Sequence, residues 1–300
     1  MPDNTITVVM LGTSGSVPTK NRALPAVAMD RDGDIFLFDC GEGTQRQFLI
    51  YGININKLKC IFISHLHGDH VIGLAGIVRT LAINKRTSPL IIFVPKGAKN
   101  ALSTLIEFDN AKIPYTITIE EIEKGEGLDG KDYSIKAFRL DHSINTLGYI
   151  FKINDRFHFD AKKAKLLGIK GEMFSKILKN KHLNVNNKSI SLKSITTIEK
   201  GKIVVYAPDT RPSKRTVAAA DGADLLIHES TYTKEFIEFA KNRKHSCAFE
   251  AAEIARSAKV KKLLLFHISS RYNENLLLLT EAKKIFKNSI ISYDGMKIKV

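Results

Sequence analysis

Three imidazoles and a carboxylate fall within six residues of this chain, at His65, His67, Asp69 and His70, directly after the apolar run Cys60, Ile61, Phe62, Ile63, Ser64. Such a cluster is costly to hold close together unless a cation shares it. Imidazole and carboxylate together suit zinc, and alternate side chains can converge from a single turn. A polar turn after a strand is the alternative, but only 9 of 300 residues are histidine, and chance clustering explains the run poorly. The run therefore reads as part of a metal centre.

A metal centre needs more ligands, and the elements that would deliver them repeat one arrangement. Strand patterns occur at 6–11, 35–39, 59–64, 90–94, 116–119, 134–140 and 147–153, then again at 203–207, 224–227, 262–266 and 290–293. Helical patterns intervene at 44–51, 71–83 and 100–108, and later at 215–220, 249–258 and 276–286. Polar residues stand just past several strand ends: Asp141 and His142, Asp209, His228 and Glu229, and His267. A lone histidine there is more often satisfied by a backbone carbonyl. Several such positions downstream of a metal run instead suggest one shared site. His158 and His182 have no pattern around them and read as surface residues.

Two strand-rich halves carrying helices imply an α/β fold, with two sheets face to face and helices outside. Residues 154–198 behave differently, with a short helical pattern at 161–167, a stop at Gly168 and turn formers at 184–187. Their apolar content reads as too thin for a core. The expectation is one domain over 1–300 with a flexible inserted arm that projects from it.

Formal charge is +15, from 46 Lys or Arg against 31 Asp or Glu, and residues 155–202 alone hold 12 basic against 4 acidic residues. A concentrated field of that sign gathers polyanions. No apolar run reaches the roughly 18 residues that span a bilayer, and the start lacks the basic and apolar regions of a signal peptide. A cytoplasmic protein is expected. Cys40, Cys60 and Cys247 are odd in number without close spacing, which predicts reduced structural thiols.

Further motifs accompany the histidine run: Leu11-Gly12-Thr13-Ser14-Gly15, Asp39-Cys40-Gly41-Glu42-Gly43-Thr44, Ala207-Pro208-Asp209-Thr210, His228-Glu229-Ser230-Thr231 and His267-Ile268-Ser269-Ser270-Arg271-Tyr272. With them the chain resembles the metallo-β-lactamase superfamily over nearly its whole length. The last two motifs, with Pro18-Thr19-Lys20-Asn21-Arg22, resemble its tRNA-processing branch, the ribonuclease Z family. That resemblance implies a four-layer αββα sandwich and two Zn2+ per subunit. It implies an endoribonuclease that removes the 3′ trailer from precursor tRNA by metal-hydroxide attack, leaving a 3′-hydroxyl on the tRNA.

By the same resemblance, His65, His67 and His142 hold one zinc, Asp69, His70 and His267 the second, and Asp209 bridges them. Asp39 would orient a ligand imidazole. Asp69 would accept a proton, and His228 would act as general acid with Glu229 beside it. Lys20, Arg22, Glu229 and His245 are expected on the substrate side, while the basic arm grips the tRNA body through phosphates. Homodimer pairing is expected from the family alone. The chain departs from the family pattern in Ala23 where Asn is usual, in residues 168–173 where a Gly-Pro turn is usual, and in Cys247 where Thr is usual. Two rival readings fit parts of the sequence. One is a hydrolase of the same fold acting on small phosphodiesters or sulfate esters, and the other a non-catalytic RNA-binding protein with a vestigial metal site.

Overall fold

The computed structural model describes residues 4–107, 112–186, 188–272 and 276–300. It forms two compact units, Met1–Lys152 with Lys202–Val300, and Ile153–Gly201.

The larger unit contains two seven-stranded sheets. The first runs Lys297–Lys299, Thr7–Gly12, Ala26–Arg31, Asp34–Phe38, Leu58–Phe62, Leu90–Pro95, Ile117–Ile122, and its pairing is parallel from Asp34–Phe38 onward. The second runs Ser289–Ile291, Leu263–Phe266, Leu225–Glu229, Ile203–Ala207, Leu147–Ile153, Tyr133–Arg139, Gly127–Asp129, and its first four strands are parallel. Parallel strands buried on both faces must be apolar throughout, which is why these read as unbroken hydrophobic runs.

Alternation still decides which side chain goes where. In Asp34–Phe38, Ile35 and Leu37 pack with Leu74, Ile77, Val78 and Leu81 of the helix Leu74–Ile83. Phe36 and Phe38 point the other way, meeting Phe151 at 5.3 Å and Tyr149 at 5.7 Å between ring centroids across the two sheets. On the far side Val205, Leu226, Leu263 and Leu265 pack with the helix Ala248–Ser257. The layers are helix, sheet, sheet, helix, and each fully buried ring in the middle contributes roughly 2–3 kcal/mol.

Several elements differ from the sequence pattern, among them the strands Gly127–Asp129 and Lys297–Lys299 and the helix Ile237–Asn242, which it does not mark. Ala26–Arg31, an interior strand of the first sheet, also lies outside the strand patterns read from sequence, although Ala26, Val27, Ala28 and Met29 are buried. Its hairpin turn, Asp32 and Gly33 with φ of 52° and 88°, is the signal that marks it. The helix expected over 71–83 is split into Gly68–Val71 and Leu74–Ile83. Gly73, between them, approaches the Gly41 carbonyl so closely that a Cβ would lie 2.1 Å from it. Phe108 of the helix expected over 100–108, Asn187 of the turn at 184–187 and the first three residues of the start lie outside the described residues.

The smaller unit corrects the expectation of a coreless arm. Ala164, Ile169, Ile177, Ile190, Leu192 and Ile195 are buried together. Helices Ala161–Leu166 and Met173–Asn180 and two antiparallel strand pairs, Arg156–Phe159 with Thr196–Glu199 and His182–Val185 with Lys188–Ser191, surround them. Asp155 ties the two ends, accepting from Gly201 N at 3.0 Å and Lys200 Nζ at 2.7 Å. His158 and His182 are exposed, and His158 pairs with Glu199 at 2.9 Å.

Cys40, Cys60 and Cys247 are free and buried. Burial pushes the Cys60 and Cys247 thiols up to about 12 and raises Cys40 as well, so little thiolate forms near neutrality. A chromogenic disulfide reagent at pH 8 is expected to modify none of the three within minutes in native protein and all three after denaturation. Rapid native labelling would contradict this packing. Among the described residues, no helix is long and apolar enough to cross a membrane.

Candidate metal centre

The C-terminal ends of parallel strands lie at one sheet edge, and side chains just beyond them converge. His65 follows Leu58–Phe62, and His67 precedes the short helix Gly68–Val71 that carries Asp69 and His70. Asp209 and His267 follow the parallel strands Ile203–Ala207 and Leu263–Phe266, and His142 follows Tyr133–Arg139. The result is three overlapping groups: His65, His67, His142 and Asp209; Asp69, His70 and His267; and Asp209, His245 and His267. Each has donor atoms within 4.8 Å of one another.

Hydrogen bonds fix the tautomers. Ser64 Oγ donates to Asp39 Oδ2 at 2.8 Å, so it accepts from His65 Nδ1, also at 2.8 Å. His70 Nδ1 donates to Asp39 at 2.7 Å and His142 Nδ1 to the Lys244 carbonyl at 2.9 Å. Thr231 Oγ1 gives its proton to Glu229 at 2.6 Å and accepts from His267 Nδ1 at 2.9 Å. Each of these rings therefore turns an Nε2 lone pair inward. Asp209 Oδ1 lies 3.3 Å from His70 Nε2 and 3.1 Å from His267 Nε2, and its Oδ2 lies 3.6 Å from His65 Nε2 and 3.7 Å from His142 Nε2. His67 offers Nδ1, 3.0 Å from His65 Nε2 and 3.2 Å from His142 Nε2.

Among the described residues, His70 Nε2, His267 Nε2 and Asp209 Oδ1 are buried without a hydrogen-bond partner. Unprotonated nitrogens and carboxylate oxygens that face one another repel, and a buried polar atom left unpaired costs about 1–3 kcal/mol. A cation answers both costs, and the donor set fits one. Burial holds His65 well below the usual histidine value, which keeps it a neutral ligand. Asp39, at φ 56°, also accepts from Ser64 N at 2.7 Å and Tyr206 OH at 2.7 Å, so its buried charge is shared among several donors.

Gly15 explains the glycine-bearing motif near the start of the chain. The segment Ser14–Gly15 pairs with Ile268–Ser269, and a Cβ on Gly15 would lie 2.6 Å from His267 Nδ1 and Cε1. Ser16 N donates to Asp69 Oδ2 at 2.8 Å from the same loop. Gly15→Ala is expected to displace the ring and weaken metal binding about ten- to hundredfold in chelator competition. Unchanged affinity would show that His267 has room to spare.

The neighbouring wall differs from expectation. Glu229 is fully buried and accepts from Thr210 N at 2.6 Å, Thr231 Oγ1 at 2.6 Å, Ser246 N at 2.9 Å and His245 Nδ1 at 3.0 Å. Its oxygens, expected on the substrate side, are taken up by these four donors. It orients His245. The His245 ring stacks on His267 at 5.4 Å, and Nδ1 lies 3.9 Å from Asp209. Burial opposes charge on His245, yet Glu229 and Asp209 raise its pKa to about 9.

His228 is in none of the three groups. It is fully buried, its Nδ1 donates to the Glu229 carbonyl at 2.6 Å, and its Nε2 has no partner. Arg22, expected to meet substrate, is also turned inward at 8% exposure, donating to Thr13 Oγ1 at 2.5 Å and the Ser292 carbonyl at 2.8 Å. Asp294 satisfies the same pocket, accepting from Ala23 N at 2.6 Å. Lys20 is exposed. Cys247 caps the helix Ala248–Ser257 in a reciprocal box with Glu250, so sulfur serves where the family pattern has Thr.

A family model described as Anti-Pycsar protein Apyc1 matches residues 6–166. Ribonuclease Z of Archaeoglobus fulgidus is 40% identical, over 98% of this chain and 97% of that protein. The chain belongs to the ribonuclease Z family. Solved structures extend the likeness in fold to this ribonuclease Z family member. The metallo-β-lactamase fold protein YhfI from Bacillus subtilis superposes with TM-score 0.74 at 18% identity, over 99% of this chain and 100% of that one. The short form of human tRNase Z superposes with TM-score 0.70 at 24% identity, over 97% and 98%. The two-sheet sandwich described above is thus the metallo-β-lactamase fold.

Proposed function

We propose that this protein is a two-zinc endoribonuclease that removes the 3′ trailer of precursor tRNA and leaves a 3′-hydroxyl on the tRNA. One observation carries the reading: inward lone pairs from His65, His70, His142 and His267 converge on both oxygens of a single buried carboxylate, Asp209. His65, His67 and His142 would hold one ion and Asp69, His70 and His267 the other, with Asp209 between them. When bound, the ions supply Lewis-acid charge that activates water and offsets the charge building on phosphorus. Asp69 Oδ2 lies 3.5 Å from both His70 Nε2 and His267 Nε2, which places it to accept the proton of the attacking water.

The leaving 3′ oxygen needs a proton, and we assign its delivery to His245 in place of His228. Glu229 anchors His245 Nδ1, which leaves Nε2 for the substrate. His228 has no exposed surface and spends Nδ1 on a carbonyl. The basic unit Ile153–Gly201 would hold the tRNA body through phosphates, with Lys20 toward the 3′ end. Exposed Leu49 and Ile72 line one hollow and offer an apolar face for a homodimer. The free thiols suit a cytoplasmic setting.

The test is incubation with a precursor tRNA bearing a 3′ trailer, wild type against Asp69→Ala, with product ends mapped. One cut at the trailer junction is expected, slowed at least about hundredfold in the variant. Cleavage of a small chromogenic phosphodiester by wild type with the precursor left whole would favour the small-ester hydrolase.

A further inference from the structure

His245 has a neighbour that this chemistry does not use. Tyr232 stands edge-on to it, ring centroids 6.0 Å apart at 76°. Phe236, ending the turn Lys234–Phe236, and Phe239, on the helix Ile237–Asn242, continue an aromatic ledge. Arg271 lies over all three, its Cζ 4.8 Å from the Tyr232 ring centroid, 4.6 Å from Phe236 and 5.2 Å from Phe239. Arg243 approaches Phe239 at 5.5 Å. Arg271 is nonetheless exposed, and Phe239 is 40% exposed.

The polar partners of Arg271 are few. Its Nε donates to Ser269 Oγ at 3.2 Å, and among the described residues no carboxylate pairs with it. Contact with three rings holds the Arg271 guanidinium against the rotamer entropy that an exposed arginine otherwise keeps. A guanidinium held still by cation–π contact, with its fork open to water, is arranged to take a phosphate in two hydrogen bonds. An exposed ring beside it is arranged to take a base by stacking, whatever the base.

We infer that this ledge seats the last nucleotide retained on the tRNA side of the cut, with its base against Phe239 and its 5′ phosphate on Arg271. The inference rests on the proposed function, which also sets the side. His245 protonates the leaving 3′ oxygen, so a surface adjoining His245 adjoins the ribose that carries that oxygen. That ribose stays with the tRNA. Tyr232 and Phe236 are positioning residues, and Arg271 and Phe239 touch the strand.

Arg271→Lys keeps the charge but loses the fork and the stacking, and Phe239→Leu keeps an apolar side chain but loses the ring. Both are measured on precursor tRNA, with inhibition by each product, the trimmed tRNA and the 5′-phosphorylated trailer. KM is expected to rise about tenfold in each variant, with kcat within about twofold. The inhibition constant of trimmed tRNA should rise with KM, and that of the trailer should hold. Circular dichroism and melting check each variant, and because the Phe239 ring is partly exposed its variant guards against misfolding of the other. Unchanged KM and tRNA inhibition in both variants, or weakening confined to the trailer, overturns the ledge. If wild type leaves the precursor whole, the functional reading falls and the ledge with it. Wild-type cleavage with indifferent variants defeats the ledge alone.

Discussion

On the proposed two-ion centre, Asp209→Ala is expected to reduce bound metal to less than about half of the wild-type content and to lower kcat on precursor tRNA about a thousandfold or more. The size of the effect follows from its position. One oxygen faces His70 and His267 and the other faces His65 and His142, and among the described residues no other side chain is placed in this way. Asp209 brings negative charge to the middle of the centre, with one oxygen toward each half. Without it, Asp69 is the only anion left in the three donor groups to offset two dications. Asp209→Asn keeps the shape but not the charge and should behave much the same. Elemental analysis after gel filtration, alongside kinetics, reads both effects. Full metal content with activity within tenfold of wild type would mean that Asp209 only packs the site.

Much of this centre was legible because parallel strands couple fold to position. A short apolar run names the strand, and the residue just past its end is placed at the same edge as its neighbours, as with Asp209 and His267. Illegible features fall into three physical kinds. Arg22 reads as an exposed basic turn until Thr13, Ser292 and Asp294 enclose it, and two of those partners come from the far end of the chain. His228 and Glu229 are consecutive on one strand, so their side chains leave on opposite faces. Sequence marks the strand end, but only the packed sheets decide which of the two meets the cluster. In the smaller unit the apolar residues fall singly or in pairs. Met173, Phe174 and Ile177 sit at helical spacing on the helix Met173–Asn180, so this core is marked by period and not by runs.

The same one-residue alternation gives the sharpest test of the proton's route. His245→Ala should lower kcat on precursor tRNA about hundred- to ten-thousandfold, the range for loss of a positioned acid. A small diester whose leaving group is a stable phenolate needs no proton on departure, so the same variant should lose less than about tenfold on it. Glu229→Gln should show a weaker form of this pattern, since it disturbs the anchor at His245 Nδ1 and leaves the imidazole in place. His228→Leu removes a buried, unpartnered nitrogen and one bond to a carbonyl, so its effect should appear as a shift of about 1–2 kcal/mol in stability with kcat changed only a few-fold. Equal losses on both substrates for His245→Ala would make it a prop for the metals. A large fall in kcat for His228→Leu at unchanged melting temperature would hand the acid's role back to that buried ring, and would require the strand end to open during turnover.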